Sequence, residues 1–255
     1  MKNRFLFGGM ILLLAVTVSC TKTDDAPAPA EPEQNPAVQA PSTLSGNEAF
    51  TVLVGGTDIG QLEVEHSAGS TMVEYEYRNN GRGPTISESV TFGEGGLPKS
   101  WTISGHTTFG NAVEEQFSMV NGEAGWKDAT GTGTASPAES DLYVAQDASP
   151  YALWIYARAL LADDDQEMQV LPGGTLRLEM IEDLTVDGPS GELAVSTYAL
   201  WGIDLNPTYF LLDEQGGFFA VMSPRFAVVR EGFEAEDERI RALAEEYAAQ
   251  RFESI

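Results

Sequence analysis

The sequence predicts a mainly β fold of the α+β class, in which a curved antiparallel sheet or open half-barrel wraps a buried helix and an amphipathic helix ends the chain. From Phe50 onward, short runs of alternating apolar and polar residues are separated by turn sequences such as Asn121-Gly122. These runs follow one another too closely for the helical crossovers that parallel strands require. Residues 149–162 form an apolar stretch with a single charge, Arg158, so a helix there must be covered on most sides.

Residues 1–20 are predicted to be a lipoprotein signal peptide. Lys2 and Arg4 precede an uncharged apolar run, and Ser19 precedes Cys20, the only cysteine of the chain. This ending resembles a lipobox, although Thr17 replaces the usual leucine. We therefore expect Cys20 to be lipidated; the alternative is a plain signal peptide in which the cysteine falls there by chance.

Residues 21–46 are predicted to be a disordered tether, because they are rich in proline, alanine and acidic residues and contain almost no large apolar side chain. Thr21 directly after the cysteine favours the periplasmic face of the outer membrane in a bacterial cell envelope. With Cys20 lipidated, no disulfide can form, so residues 47–255 are expected to fold as a single β-rich domain on the strength of their core alone.

The charge balance excludes two classes of partner. The chain has 39 acidic and 14 basic residues, a net charge of −25. Loss of Lys2 and Arg4 with the signal peptide would leave 12 basic against 39 acidic residues, or −27. Nucleic acids and anionic lipid surfaces are polyanions, so neither is an expected partner of the folded domain.

The elements are assigned in chain order. The strands before the central helix are predicted at residues 50–54, 59–66, 71–78, 86–92, 100–109, 114–120 and 123–128, and residues 129–139 are predicted to be a mobile loop. Ser149 is expected to cap the central helix, with Pro150 in its first turn. The later strands are predicted at residues 167–171, 175–186, 192–204, 208–214, 217–222 and 225–229, and the final helix at residues 234–252.

No catalytic residue and no metal site are predicted. The two histidines, His66 and His106, fall in separate predicted strands without the spacing of a metal-binding motif. The chain has no nucleophile elbow and no phosphate-binding glycine-lysine loop. Neither histidine is expected to be more than an ordinary surface or strand-end residue.

Four glutamates form a candidate cation-contact cluster. Glu63 and Glu65 share a face of one predicted strand, and Glu74 and Glu76 share the same face of the next. Like charges on neighbouring strands repel, so the cluster is either fully solvated or faces a cationic partner.

Two arginines are candidate contacts for a partner or an anion. Arg78 and Arg82 bracket a tight turn in a chain that is poor in cations. Asn80-Gly81 and Pro84 account for the turn itself. The arginines could also grip an anion or a carboxylate of a neighbouring domain. The four tryptophans are interpreted as core residues, or as the lining of an apolar pocket between sheet and helix.

Residues 73–118 and 207–234 resemble the N-terminal β-rich region of secreted bacterial amidohydrolase-superfamily proteins. In that family the region precedes a metal-dependent (β/α)8 barrel with an HxH pair and further histidine, aspartate and lysine ligands. The resemblance implies a hydrolase-associated domain, with a metal only in a barrel that this sequence does not contain. No position here matches the family's catalytic residues.

Two functions follow as expectations. The first is a non-catalytic accessory or scaffold domain of an envelope lipoprotein, whose partner would be a hydrolase barrel encoded downstream or separately. The second is a periplasmic lipoprotein that binds an apolar ligand or a lipid between sheet and helix, by analogy of fold alone.

Overall fold

The computed structural model describes residues 46–136 and 142–253. The predicted signal peptide, Cys20 and all of the predicted tether except Gly46 lie outside these residues. The described residues form one sheet and two α-helices, as the sequence predicted. No helix in this part of the chain is long and apolar enough to cross a membrane.

The sheet contains fifteen strands, and their order from one edge to the other is β8-β7-β6-β5-β4-β3-β2-β1-β15-β14-β13-β12-β11-β10-β9. The strands are β1 (Gly46–Val54), β2 (Thr57–Ser67), β3 (Ser70–Tyr77), β4 (Thr85–Phe92), β5 (Pro98–His106), β6 (Ala112–Val120), β7 (Glu123–Asp128), β8 (Gly131–Ala135), β9 (Leu142–Tyr143), β10 (Glu167–Leu171), β11 (Thr175–Gly188), β12 (Gly191–Trp201), β13 (Thr208–Asp213), β14 (Phe218–Met222) and β15 (Phe226–Arg230). The helices are α1 (Ala152–Leu161) and α2 (Asp237–Glu253), and Glu94–Gly96 and Glu234–Glu236 form single 3-10 turns.

Alternation of side chains produces these strands. In β3, Val73 and Tyr75 are buried whereas Glu74 and Glu76 are exposed, so one face meets the core and the other meets water. The hairpins close where asparagine or glycine can adopt a positive φ, as at Asn121 (φ 54°) and Gly122 (φ 77°). Neighbouring strands are antiparallel, except that β9 and β10 run parallel.

Chain connectivity shows that the sheet is rolled. Fifteen strands laid flat would span about 67 Å at the usual strand spacing. The two edge strands, β8 and β9, are joined by six residues, which can bridge about 25 Å at most. The rings of Phe117 in β6 and Tyr143 in β9 also stack with centroids 4.3 Å apart, so β9 packs against the inner face of the opposite edge.

Helix α1 occupies the concave side of this rolled sheet. Eight of its ten residues are buried, and its tryptophan, Trp154, is 1% exposed. The prediction of a buried helix is therefore confirmed. The helix begins at Ala152 rather than at Ser149, and its N-cap residue, Tyr151, makes no side-chain cap bond. The hydroxyl of Ser149 accepts the N–H of Tyr151 at 3.3 Å, just before the first turn. The Ser149 N–H bonds a buried carboxylate of the sheet, described below.

Helix α2 covers part of the convex side. Its buried residues Ile240, Ala244 and Tyr247 pack on a second apolar cluster from β13, β14 and β15. All five residues of β14 are buried, because α1 lies on one side of this strand and α2 on the other. This explains why the sequence of β14, Phe-Phe-Ala-Val-Met, does not alternate.

One element was predicted wrongly. Residues 129–139 were interpreted as a loop, but Gly131–Ala135 form β8 and pair with β7. A Cβ atom at Gly133 would lie 2.2 Å from the Trp126 ring, so the indole packs directly on the backbone of β8. Close cross-strand packing therefore requires the glycine that made this segment look like a loop.

Candidate functional site

Two buried carboxylates on the inner face of the sheet hold the segment that leads into α1. Glu88 in β4 and Glu115 in β6 are 3% and 1% exposed. Each occupies an inward-facing position, between Ile86 and Val90 in one strand and between Val113 and Phe117 in the other. A carboxylate buried to this extent must be satisfied by hydrogen bonds.

Glu88 binds the chain at the start of the helical segment. Its Oε1 accepts the backbone N–H of Ser149 at 2.6 Å, and its Oε2 accepts the indole N–H of Trp101 at 2.9 Å. Burial raises the pKa of Glu88 above its ordinary value, although the bonds from Ser149 and Trp101 act in the opposite direction. Part of the rise comes from the negative charge of Glu115.

Glu115 binds the residues just before Ser149. Its carboxylate accepts the Tyr143 hydroxyl at 2.6 Å and the backbone N–H groups of Gln146 and Asp147 at 2.9 Å. The hydroxyl of Tyr156, on α1 itself, accepts the N–H of Ala145 at 2.9 Å. The irregular stretch between β9 and α1 thus finds its partners inside the fold rather than in water.

His66 in β2 forms a third polar anchor. Its Nδ1 lies 2.9 Å from the Thr71 hydroxyl, and its Nε2 lies 3.0 Å from Glu48 Oε1 and 3.1 Å from the Tyr151 hydroxyl. Burial raises the pKa of Tyr151 well above its ordinary value, so this phenol stays neutral. From the sequence, His66 was expected to be an ordinary surface or strand-end residue, but it is buried beneath the start of α1.

The helix is also fastened through Trp154, whose ring contacts those of His66 and Tyr151. Its indole N–H donates to the Gly216 carbonyl in the β13–β14 turn at 3.0 Å. The guanidinium of Arg158 lies 4.9 Å from the centre of the Phe92 ring and 5.5 Å from that of Trp154. Burial lowers the pKa of Arg158 from its ordinary value. The only charge of α1 is therefore accommodated between aromatic faces.

These anchors perform a structural task. Glu88, Glu115, His66 and the hydroxyls of Tyr143 and Tyr151 are buried and have hydrogen-bond partners within the protein, whereas Oε2 of Glu48 is buried without one. In residues 46–136 and 142–253, no group of three or more histidine, cysteine, aspartate or glutamate residues could hold a metal ion. The arrangement can lock a helix in place.

The four predicted glutamates lie together on the outer face of the sheet. Glu63 in β2 stands directly opposite Glu74 in β3, and Glu65 and Glu76 are exposed on the same face. Ser87 in β4 donates to Glu74 Oε2 at 2.6 Å. The geometry matches the sequence analysis, and a cation partner for this cluster stays a prediction.

The two predicted arginines line a surface groove with a volume of about 480 Å³. The β3–β4 turn forms one wall of the groove and the β5–β6 turn forms the other. The strand predicted at residues 100–109 ends at His106, so residues 107–111 form this second turn and hold Phe109 outside the sheet. A second groove of about 540 Å³ shares Arg82, Thr108 and Phe109 with the first.

The arginines have different roles in the groove. Arg78 donates to the carbonyls of Tyr77 at 2.7 Å and Pro84 at 2.8 Å, and to the Thr85 hydroxyl at 2.8 Å. It therefore braces the turn. Arg82 makes no side-chain hydrogen bond or ion pair within the described residues, and its guanidinium lies 5.9 Å from the centre of the Phe109 ring.

Comparison with known proteins supplies no functional relative. No family model matches the chain. No curated protein matches it either. Solved structures with a similar fold include the following two. One is a β-barrel-like protein of the domain of unknown function DUF1849 from Brucella abortus, with 10% identity and a TM-score of 0.46 over 72% of this chain and 93% of that one. The other is a DUF1089 family protein from Pseudomonas aeruginosa, with 12% identity and a TM-score of 0.38 over 64% of this chain and 89% of that one.

The resemblance to the amidohydrolase N-terminal region is wrong. No family model and no curated protein supports the amidohydrolase relationship. The segments that suggested it, residues 73–118 and 207–234, contain the successive antiparallel strands β3 to β6 and β13 to β15. Alternating strands joined by glycine-rich turns are common to many β folds, so their pattern does not specify a family. A hydrolase as a partner of this chain stays a prediction.

Glu88, Glu115 and His66 were not predicted as anchors, although the sequence carries a signal for the two glutamates. In the alternating run 86–92, Glu88 occupies the same phase as Ile86 and Val90, which is the buried phase. Glu115 has the same relation to Val113 and Phe117. A charged residue at an inward-facing position of an alternating strand predicts a hydrogen-bond partner inside the protein. Here the partner is the segment before α1.

Proposed function

We propose that this chain is a non-catalytic scaffold protein of the bacterial cell envelope, anchored through a lipid on Cys20 and displayed on the periplasmic face of the outer membrane. One observation carries the proposal: the concave side of the sheet, where barrel-like proteins commonly bind ligands, is filled by α1, which polar anchors hold from several directions. A domain filled in this way supplies a rigid body and loops rather than an internal cavity.

The sequence supports the anchor. A basic start, an apolar run and a single cysteine precede a proline-rich stretch that would hold a folded domain away from a membrane surface. A lipid and a tether attach the domain to the membrane without requiring any contact between its acidic surface and anionic headgroups.

Membrane fractionation tests the anchor. We expect the wild-type chain in the outer-membrane fraction and Cys20→Ser in the soluble envelope fraction, because removal of the thiol removes the acylation site. Thr21→Ser is the matched control, since it alters the next residue and leaves the cysteine, and it should fractionate like wild type. Wild-type protein in the soluble fraction would refute the anchor.

The second candidate function is the binding of an apolar ligand or lipid between sheet and helix. The aromatic lining of the concave face, which includes Phe50, Trp101 and Phe218, favours it. Such a ligand would have to displace α1, since the side chains of α1 already pack on this face.

Titration with the fluorescent probe N-phenyl-1-naphthylamine separates the two functions. With the Cys20→Ser chain, which has no acyl group and needs no detergent, the scaffold function predicts no saturable rise in fluorescence and no lipid in organic extracts. Saturable binding, with stoichiometric lipid in the extract, would overturn the scaffold function in favour of the carrier.

A further inference from the structure

The groove walled by the β3–β4 and β5–β6 turns differs in charge from the rest of the molecule. It is lined by ten residues: two arginines, one histidine, three threonines, three glycines and one phenylalanine. None of them is acidic, in a chain that has 39 acidic residues and a net charge of −25. The adjoining groove is also lined without an acidic residue. Repulsion from the acidic surface would be lowest here for an approaching anion.

Arg82, whose guanidinium makes no hydrogen bond or ion pair within the described residues, projects from a rigid turn. The backbone N–H groups of Asn79 and Arg82 each bond the carbonyl of the other, at 2.7 and 3.1 Å. The bonds from Arg78 to the other side of the turn fix its exit. The Arg82 guanidinium thus projects from an ordered base with its donors unused by side chains or backbone of the described residues, which lowers the entropic cost of gripping a ligand.

The groove also offers polar donors around Arg82. Thr85 and Thr107 supply hydroxyls, and His106 supplies an imidazole that carries a positive charge only when it is protonated. Arginine with hydroxyl donors is the usual combination for binding a carboxylate or a phosphate.

An apolar surface adjoins these donors. The ring of Phe109 is 78% exposed, which is costly in water unless something covers it. On the side away from His106, Phe109 shares the second groove with Val54 and Tyr77. A ligand that spans both grooves would therefore meet cations at one end and apolar side chains at the other.

We propose that these two grooves form a binding site for a small amphiphilic anion, meaning a carboxylate or phosphate attached to an aromatic or short aliphatic group. The charged group binds Arg82, with Thr85, Thr107 and His106 around it. The apolar group lies on Phe109 toward Val54 and Tyr77. This site lies at the end of the sheet that carries the β3–β4 and β5–β6 turns. Gly46, where β1 begins, lies at the opposite end.

Calorimetric titration of the full chain, with Cys20→Ser as the common background for solubility, tests the site. Phenyl phosphate is the complete probe, inorganic phosphate supplies the charged group alone, and benzyl alcohol supplies the apolar group alone. We expect phenyl phosphate to bind about tenfold or more tightly than either fragment, because it uses both grooves.

Three variants locate the binding. Arg82→Gln should weaken phenyl phosphate by about tenfold or more, because it removes a charge-assisted pair. Phe109→Ala should reduce phenyl phosphate to the affinity of inorganic phosphate. Lys99→Gln is the charge-matched control: Lys99 is exposed near the start of β5, at the other end of the sheet, and its loss should leave affinity within about twofold of the parent, as expected for a screened distant charge.

Vesicles of phosphatidylglycerol identify the source of the anion. Vesicle binding that Arg82→Gln and Phe109→Ala both abolish would show a lipid headgroup in the site, and phenyl phosphate binding without vesicle binding would show a free anion. The proposal is overturned if phenyl phosphate does not saturate, or if Lys99→Gln weakens it as much as Arg82→Gln. All four chains should unfold at the same denaturant midpoint, because Arg82 and Phe109 lie outside the core.

Discussion

Replacement of Trp154 by alanine tests the packing of α1 most strongly. Trp154 is 1% exposed and its ring contacts those of His66, Phe92 and Tyr151, with centroids 5.7, 6.2 and 5.1 Å away. Its indole N–H also holds the Gly216 carbonyl. The substitution would leave a cavity at the centre of the molecule and a carbonyl without its donor.

The expected loss is large relative to the stability of a domain. Truncation of a buried aromatic residue to alanine costs about 3 to 5 kcal/mol when the site cannot collapse. The Trp154 ring is surrounded by His66 in β2, Phe92 at the end of β4 and Tyr151 just before α1. Because these rings belong to packed elements, they cannot easily move into the cavity that the substitution leaves. Against the roughly 5 to 15 kcal/mol of a typical domain, such a loss removes between about a fifth and all of the stability, so Trp154→Ala should be strongly destabilised.

Two further variants separate the contributions. Trp154→Phe retains an aromatic ring but loses the bond to Gly216, so it should cost about 1 to 3 kcal/mol, the range for a buried group left without a partner. Trp201→Ala is the control for loss of a tryptophan outside the core: this ring is partly exposed and lies over Arg177 and Arg251, and its removal should cost about 1 kcal/mol.

Urea denaturation followed by circular dichroism provides the measurement. With the slopes usual for single domains, a loss of 3 to 5 kcal/mol lowers the midpoint by about 1 M or more. A midpoint for Trp154→Ala within error of wild type would refute the buried-core account and favour α1 as a mobile lid over an apolar site.

Three other substitutions give independent tests. Because burial raises the pKa of Glu88, its contribution to stability is fully present below the ordinary value of 4.5 and falls as the pH rises through the folded-state pKa. The free energy of unfolding of wild type relative to Glu88→Gln should therefore decrease from pH 4 to pH 8, and a difference independent of pH would contradict this. Gly133→Val should lower thermal stability measured by calorimetry by more than the matched Gly125→Val, because only Gly133 lies beneath the Trp126 ring; equal losses would remove that explanation. Glu74→Lys should stabilise the β2–β3 pair by about 0.2 to 1 kcal/mol at low salt, since it replaces repulsion from Glu63 by attraction. If Ca²⁺ stabilises wild type far more than this variant, the cluster binds a cation rather than being merely solvated.

The strands were predictable where one face of the sheet meets water. The alternation in β3 places Val73 and Tyr75 inward and Glu74 and Glu76 outward, and the glycine and asparagine turns mark its ends. Helix α1 was predictable because an apolar stretch of its length with one charge has no stable place except a covered one. Helix α2 followed from the periodicity of Ile240, Ala244 and Tyr247.

The features that were not predicted from the sequence depend on contacts between different strands or distant parts of the chain. Gly133 pairs with the ring of Trp126, so a strand resembled a loop. Glu88 meets Ser149 across 61 residues, and Glu115 meets Asp147 across 32, and neither contact has a local signature apart from a charge in a buried phase.

The candidate site was predictable only in part. Arg82 was noticed because it follows a tight turn in a cation-poor chain. Its approach to Phe109 depends on the register of β4 and β5, which places the two turns side by side, and on the end of β5 at His106. The family resemblance failed because alternating strands satisfy many folds equally well.

Native-state hydrogen exchange of the α1 amides tests the central claim that a locked helix fills the rolled sheet. The account predicts that amides of Ile155 to Leu160 exchange only through global unfolding, with the same opening free energy and denaturant dependence as the slowest amides of β13 and β14. Exchange of these α1 amides at a much lower opening free energy, while β13 and β14 remain protected, would show that the helix leaves the sheet and would contradict the account.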